Sequence, residues 1–472
     1  MRKLLPVALL CAVFFVSCHK DPGVDVKSQF INNESTINVT FDESHPGAVI
    51  PQTFEGLSFE TSILAEDAGF LNANNKVLIQ MMRNLGPGIL RMGGASSDLT
   101  MWTGAPRTAD TPPASVTTTD IDQLSAFSSA IGWPVLFGLN LGNNDKGLAA
   151  NEAAYVKQSL GSNLYAFQSG NEPDAYGPYT NHRNKFYSFS DFLGEWRSYE
   201  NAVKAAAPGA VFAGPDIAFD HSWISPFADN EGYEIKLLDA HYYEGGPATE
   251  PSITIQYLLN NETKLMDLIE SFQGSPSAKK LPYRVTECNN IYGGGKHGVS
   301  DVFASSLWAL NTMWTLAANG CQGINFHTGI GLHYSPVMKE NGVLVAKPEY
   351  YAMLAFKYAS MNARPVPTKI DKEDYCNAYT SMSGNTYYFT LVNRSTNKDF
   401  DFNIIPAKKL ASIKVNRLKA PAIDAATGIT FGGGTVNADG TFNLTSSESF
   451  NNDKSAFIVH VPAGSAAVVT AE

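Results

Sequence analysis

Two glutamates in this chain sit where buried strands should end. Glu172 lies in Asn171-Glu172-Pro173, which closes the run that begins Leu164-Tyr165-Ala166-Phe167, and Glu287 closes Tyr283-Arg284-Val285-Thr286. Taken singly, each glutamate can be a strand-end or loop cap. Taken together, on strands four and seven of one barrel, they face each other across a single mouth. Cleaving a glycosidic bond with retention needs such a pair. One carboxylic acid protonates the leaving oxygen and one carboxylate attacks the anomeric carbon, the two groups about 5–5.5 Å apart. The pair therefore predicts a retaining glycosidase.

The elements that must position these residues follow from the rhythm of the chain. Strand-like apolar runs lie near residues 54–60, 88–93, 134–141, 164–171, 210–217, 235–243, 283–289 and 322–328, with helix-like segments between them. Apolar runs of this kind belong to a parallel sheet covered on both faces, and eight such alternations close more naturally into a (β/α)8 TIM barrel than into an open sheet. Helix starts are marked by Asn74-Asn75 and by Ser190-Asp191, and Pro208-Gly209 marks a stop. From about residue 366 the pattern changes to short alternating runs such as 385–392 and 456–461, which predict a β-sandwich. The isolated strand at 36–41 has no place in the barrel and is expected to join that sandwich. The resulting organisation is a leader over 1–18, a tether over 19–35, an N-terminal sandwich strand over 36–50, a catalytic barrel over 51–365 and a C-terminal sandwich over 366–472.

Length and charge narrow the function. The 472 residues suffice for a barrel and one further domain, and the formal net charge of −11 disfavours nucleic acid and heavily sulfated chains as partners. Arg2 and Lys3, the apolar run Leu4–Val16 and Ser17-Cys18 read as a signal peptide that resembles a bacterial lipoprotein signal, with Cys18 as the lipidated residue. This predicts a protein of the bacterial cell envelope, periplasmic or on the outer surface, whose only membrane contact is its lipid. Cys288, Cys321 and Cys376 remain in the body, an odd set expected to be buried thiols.

After the second glutamate comes Gly293-Gly294-Gly295-Lys296-His297-Gly298, which has the spacing of a dinucleotide loop. The acidic residue that such a fold needs at the end of the next strand is replaced by Phe326-His327, so no nucleotide is expected. Glycine N–H groups beside a helix start still suit an anion, and a sugar carboxylate next to Glu287 fits there, with Lys296 or His297 adding charge. The histidines 241, 297, 327 and 333 share no metal-ligand spacing, and there is neither a P-loop nor a G-x-S-x-G elbow, so no metal or cofactor is expected.

Gly170-Asn171-Glu172-Pro173, Arg284-Val285-Thr286-Glu287 and Leu90-Arg91-Met92-Gly93-Gly94 together resemble the clan of glycoside hydrolases with acid/base on strand four and nucleophile on strand seven. Within that clan the chain is most similar to family 79, the β-glucuronidase and heparanase family. The resemblance implies that Glu172 is the acid/base, Glu287 the nucleophile, Asn171 the partner of the sugar 2-hydroxyl and Tyr243 the hydrogen-bond donor to the nucleophile. It also implies that Tyr292 and Gly293, Gly294 and Gly295 hold the uronate carboxylate, that Tyr334 reaches the terminal sugar, and that Glu60 binds its hydroxyls. The substrate expected is a glycan or glucuronide ending in β-linked glucuronic acid, attacked from its end. An endo-acting, heparanase-like enzyme is the alternative, disfavoured by an acidic chain with no basic cluster near either glutamate in sequence. Another β-glycosidase specificity within the clan and a non-catalytic glycan-binding lipoprotein are the others; the presence of both carboxylates speaks against the last.

Overall fold

The computed structural model describes residues 29–260, 263–373 and 375–472. The expected signal, Cys18 and most of the expected tether lie outside the described residues. Eight strands close into a parallel barrel: β1 (Glu55–Glu60), β2 (Ile89–Gly93), β3 (Val135–Leu139), β4 (Leu164–Ser169), β5 (Phe212–Ile217), β6 (Ile235–Gly245), β7 (Tyr283–Ile291) and β8 (Ile324–Thr328), with β8 pairing back onto β1. Residues that face outward, such as Leu57, Leu90, Val285 and Cys288, pack under the helices. All three body cysteines are buried free thiols.

Charged and amide groups fill much of the barrel interior. At the N-terminal end Arg284, 1% exposed, donates to Asn325 Oδ1 and to the carbonyls of Thr53, Phe54, Gln322 and Ile324. Nearer the C-terminal end lie Arg91, Gln168, Asp216, Asp239 and Thr286, all buried and bonded to one another. Burying this many polar groups is tolerable only because each finds partners. The same network fixes the rotamers at the mouth.

The helix Phe189–Ala206 starts two residues earlier than Ser190-Asp191 suggests, because Ser188 is the cap and Asp191 completes a capping box. At Lys76–Asn84, Asn75 is the cap and accepts from Leu78 N. The helix Phe303–Ala318 is buried nearly all round because it lies between the barrel and the β-domain, Trp314 stacking on Tyr379 at 6.0 Å. Strands β6 and β7 run two residues beyond the expected ends at 243 and 289, and a hairpin of Val337–Glu340 and Val343–Ala346 follows β8.

The β-domain has two facing sheets. One orders Thr368–Ile370, Thr36–Phe41, Phe400–Ile405 and Phe457–Val461; the other is built around Cys376–Ser383, Thr386–Asn393, Ser465–Ala471 and Ser412–Lys419. Ile37, Val39, Phe389, Phe402, Ile404, Val459 and Val469 fill the space between them. The strand Thr36–Phe41 thus joins the C-terminal sheet, running parallel to Phe400–Ile405. Among the described residues no helix is long and apolar enough to cross a membrane.

Candidate active site

Strand β4 ends at Ser169, and the chain turns sharply at Gly170, where φ is +82° and a Cβ would lie 2.4 Å from the Tyr176 hydroxyl. Only glycine fits. Glu172 follows in the left-handed region at φ +52°, its N–H donating to Asp216 O, and such strain in a non-glycine residue is held only where the surroundings fix it. Asp98 supplies part of that hold by accepting from the N–H of Asn171 at 3.0 Å and from the Tyr176 hydroxyl at 2.6 Å. Asn171 Oδ1 accepts from Arg91, which leaves Nδ2 as a donor. The Glu172 carboxylate meets His241 Nδ1 at 2.9 Å, and the other ring nitrogen of His241 meets Asp216 Oδ1 at 2.9 Å.

Strand β7 carries a bulge between Val285 and Glu287. A regular strand would send Thr286 and Glu287 to opposite faces; the bulge lets both act inside the barrel, Thr286 bonding to Asp216 and Glu287 to Arg91. Glu287 Oε2 accepts from Arg91 Nη1 at 2.8 Å and Oε1 accepts from the Tyr243 hydroxyl at 2.8 Å. His327 Nδ1 stands 3.5 Å from Oε2. Arg91 is fully buried and donates to Gln168, Ser58, Glu287, Asn171 and Asp216, so each of its five N–H groups has an acceptor. One carboxylate oxygen of Glu172, one of Glu287 and one nitrogen of His241 all lie within 4.8 Å of one another.

The two glutamates are driven apart electrostatically. Burial pushes the Glu172 carboxyl up, aided by the negative charges of Glu287 and Asp174 and opposed by His241. Burial acts on Glu287 in the same sense, but His327, His241, Arg91 and the Tyr243 hydroxyl outweigh it and hold that carboxylate well below the usual range. Burial works against the charged form of His241, yet Asp216 and Glu287 raise the ring to about 10, so both its nitrogens carry protons and donate. Asp239 is pushed up to about 8 by burial and by the negative charge of Asp216. The site therefore pushes the two carboxyls apart, Glu172 toward the acid form and Glu287 toward the anion, as a pair with divided acid and anion roles requires.

The other residues expected from sequence fall around this pair. The ring of Tyr334, 4% exposed, packs 6.1 Å from Tyr243 and 6.2 Å from His327. Glu60 accepts from Ser96 N at 2.8 Å and lies 3.5 Å from His327 Nε2. Tyr292 stands half-exposed, its ring edge-on to Tyr243 at 6.4 Å. Gly293, Gly294 and Gly295 all have positive φ, but the Gly295 N–H already donates to Ile291 O, so only Gly293 and Gly294 have amides without a backbone partner among the described residues. Lys296 Nζ donates to the carbonyls of Glu250 and Ile253 and is not turned into the turn.

One sequence expectation is corrected here. Basic side chains do gather at the carboxylates: Arg91, His241 and His327 reach them from β2, β6 and β8, side chains that sequence distance does not associate. The histidines also divide, His241 and His327 belonging to the carboxylate network and His297 and His333 to the rim. Sequence reading missed Asp98, Gln168 and Asp216 entirely. Asp216 sits at φ +58° beside a bulge in β5 and accepts from Arg91, His241, Gln168 and Thr286. Glu172, His241 and Glu287 form a cluster of metal-ligand type, but both nitrogens of His241 already donate to carboxylates and have no lone pair to give.

Residues 375–468 match the model of the glycosyl hydrolase family 79 C-terminal β domain. The chain therefore carries a C-terminal β domain of the glycoside hydrolase family 79 type. Among the chain's relatives is a β-glucuronidase of Aspergillus niger, 24% identical in an alignment that covers 88% of this chain and 90% of that protein. A β-glucuronidase of Neurospora crassa is 23% identical over 71% of this chain and 68% of its own length. In three dimensions the chain resembles a 4-O-α-L-rhamnosyl-β-D-glucuronidase from Fusarium oxysporum 12S, with a TM-score of 0.73 at 18% identity over 92% of this chain and 100% of that one. A family 51 arabinofuranosidase from Xanthomonas axonopodis pv. citri gives 0.70 at 16% identity over 93% of this chain and 100% of that one. At these identities the structural likeness speaks for the barrel-plus-β-domain fold.

Proposed function

We propose that this hydrolase is a retaining exo-β-glucuronidase, with Glu172 as acid/base and Glu287 as nucleophile. The observation that carries the proposal is one carboxylate oxygen of Glu172 and one of Glu287 within 4.8 Å of each other, the first carboxyl pushed up and the second held low. That separation supports a retaining pair, about 5–5.5 Å apart, over the roughly 6.5–9.5 Å of an inverting one. In the first step a Glu287 oxygen bonds to C1, the glycosidic C–O bond breaks, and the Glu172 proton passes to the leaving oxygen. In the second step Glu172, now a carboxylate, takes a proton from water; the water oxygen bonds to C1 and the Glu287 ester bond breaks, restoring both groups.

The choice of a uronate rests on the β-glucuronidase relatives and on the turn after β7. A carboxylate at C5 loses water on entering the mouth and needs fixed donors in return. The Gly293 and Gly294 amides and the Tyr292 hydroxyl supply them beside the nucleophile. Asn171 Nδ2 is left to donate to the sugar 2-hydroxyl, and Glu60 to accept from a hydroxyl farther round the ring. Attack from the chain end agrees with the formal net charge of −11, which disfavours a long anionic chain lying across the surface. The lipid-anchored envelope location rests on the character of residues 1–18 alone. A panel of aryl β-glycosides tests the reading. Two charge-assisted bonds of roughly 1.5–3 kcal/mol each make kcat/KM for the glucuronide at least about a hundredfold above the glucoside. Equal turnover of the two would reduce the proposal to a retaining β-glycosidase of other specificity.

A further inference from the structure

Beyond the carboxylate pair, the rim of the barrel carries a second cluster to which the reaction gives no task. His297 and Asp301 lie one turn apart in the segment between the glycine turn and the helix Phe303–Ala318, and His333 enters from the loop after β8. His297 Nδ1 is 2.6 Å from Asp301 Oδ2, His333 Nδ1 is 3.5 Å from the same oxygen, and one ligand atom from each of the three residues lies within 4.8 Å of the others. The two imidazole rings are 5.4 Å apart between centroids. We propose that His297, Asp301 and His333 bind one transition-metal dication of the zinc class.

The donor set and its geometry both point that way. Two imidazoles and a carboxylate select zinc, cobalt, nickel or copper over magnesium or calcium, which prefer oxygen. Bonds of about 2.0–2.2 Å at tetrahedral angles place neighbouring ligand atoms roughly 3.4 Å apart. His333 and Asp301 already have that spacing. His297 must swing outward by less than about 1 Å from its present 2.6 Å, and its side chain is 81% exposed and unobstructed. The Asp301 carboxylate is fixed, because Oδ1 accepts from the N–H of Gly298 at 2.6 Å while Oδ2 faces the rings. Solvent completes the coordination on the exposed side. The N–H of His333 donates to Gly294 O at 2.7 Å, so an ion here ties the segment before the helix to the loop after β8 and, through that bond, to the glycine turn. Sequence spacing hides such a site, since His297 and His333 come from different loops.

The site is independent of the glucuronidase reading and is tested without substrate. Metal-free, tag-free enzyme is titrated with Zn2+ in a calorimeter and with Co2+ by visible absorption. The expected result is one ion bound at micromolar or lower Kd, an intense Co2+ d–d band of low coordination number, and no comparable heat with Mg2+. Melting temperature rises by a few degrees at a hundredfold excess over Kd. His297→Ala and His333→Ala each weaken binding by at least about tenfold, the loss expected of a ligand when outer partners alone are worth 10–100-fold. His297 is so exposed that its variant keeps the fold whatever becomes of His333→Ala. Binding only at millimolar Zn2+, or binding unchanged in both variants, overturns the proposal, as does zinc binding abolished by Glu172→Gln and retained in His333→Ala.

Discussion

His241 offers the most discriminating perturbation of the carboxylate pair. Its cation joins Glu172 Oε1 and Asp216 Oδ1, each at 2.9 Å, and it is the chief influence opposing the rise that burial imposes on Glu172. Replacing it in His241→Asn removes the charge and leaves Arg91 to hold Asp216. A charge-assisted bond in such a setting is worth roughly 1.5–3 kcal/mol, and 1.36 kcal/mol equals one pH unit, so Glu172 should titrate about 1–2 units higher. The sign follows from what is lost: a nearby cation favours carboxylate, so its removal favours the acid. The alkaline limb of kcat/KM reports the group that must be protonated, which under the proposed mechanism is Glu172, the His241 ring being raised to about 10. That limb should move up by about 1–2 units on a substrate with a poor leaving group, while the maximal rate falls. The acidic limb should rise too, because His241 also helps hold Glu287 low. The assay is kcat/KM against pH for both proteins, with circular dichroism to show that the variant is folded. An alkaline limb that stays in place or moves down would refute the reasoning.

Tyr243→Phe removes the hydroxyl that donates to Glu287 Oε1, and kcat/KM should fall by about 10–150-fold, the worth of one bond to a charged group; its acidic limb should rise as Glu287 becomes easier to protonate. In Gly294→Val the substituted residue must keep a φ of +90°, so the turn distorts, and turnover of an aryl glucuronide should fall far more than any residual turnover of the glucoside. Cys288 lies in the core under the helices with no exposure, so Cys288→Ala should lower melting temperature while kcat stays within about twofold, as expected of a cavity costing about 1 kcal/mol. A kcat loss with unchanged melting would show that this thiol touches the chemistry.

The barrel strands were legible because each is an apolar run, and Glu172 and Glu287 because a carboxylate at the end of such a run is conspicuous. Reading which residues assist them was harder. Asp216 falls within the expected strand at 210–217, but nothing there signals the bulge and left-handed backbone that set its carboxylate among Arg91, His241 and Thr286. His241 and His327 lack ligand spacing because their partners lie on other strands. A usable signal was present nonetheless: Arg91, Gln168, Asp239, His241 and His327 each interrupt an apolar strand, and polar groups so placed must meet partners inside the barrel. The bulge in β7 left no such trace. Nothing in Tyr283-Arg284-Val285-Thr286-Glu287 says that Thr286 and Glu287 both act in the interior, since strict alternation would have separated them.

The account rests on Glu287 bonding covalently to the sugar, and trapping that bond is the direct measurement. A 2-deoxy-2-fluoro-β-glucuronyl fluoride slows the second step more than the first, so the glycosyl-enzyme accumulates, and peptide mass spectrometry locates the label. The account predicts a single label on the peptide containing Glu287, on the side chain of that residue. A label on Glu172, Asp216 or any other residue, or full turnover to the α anomer with no label at all, would contradict it.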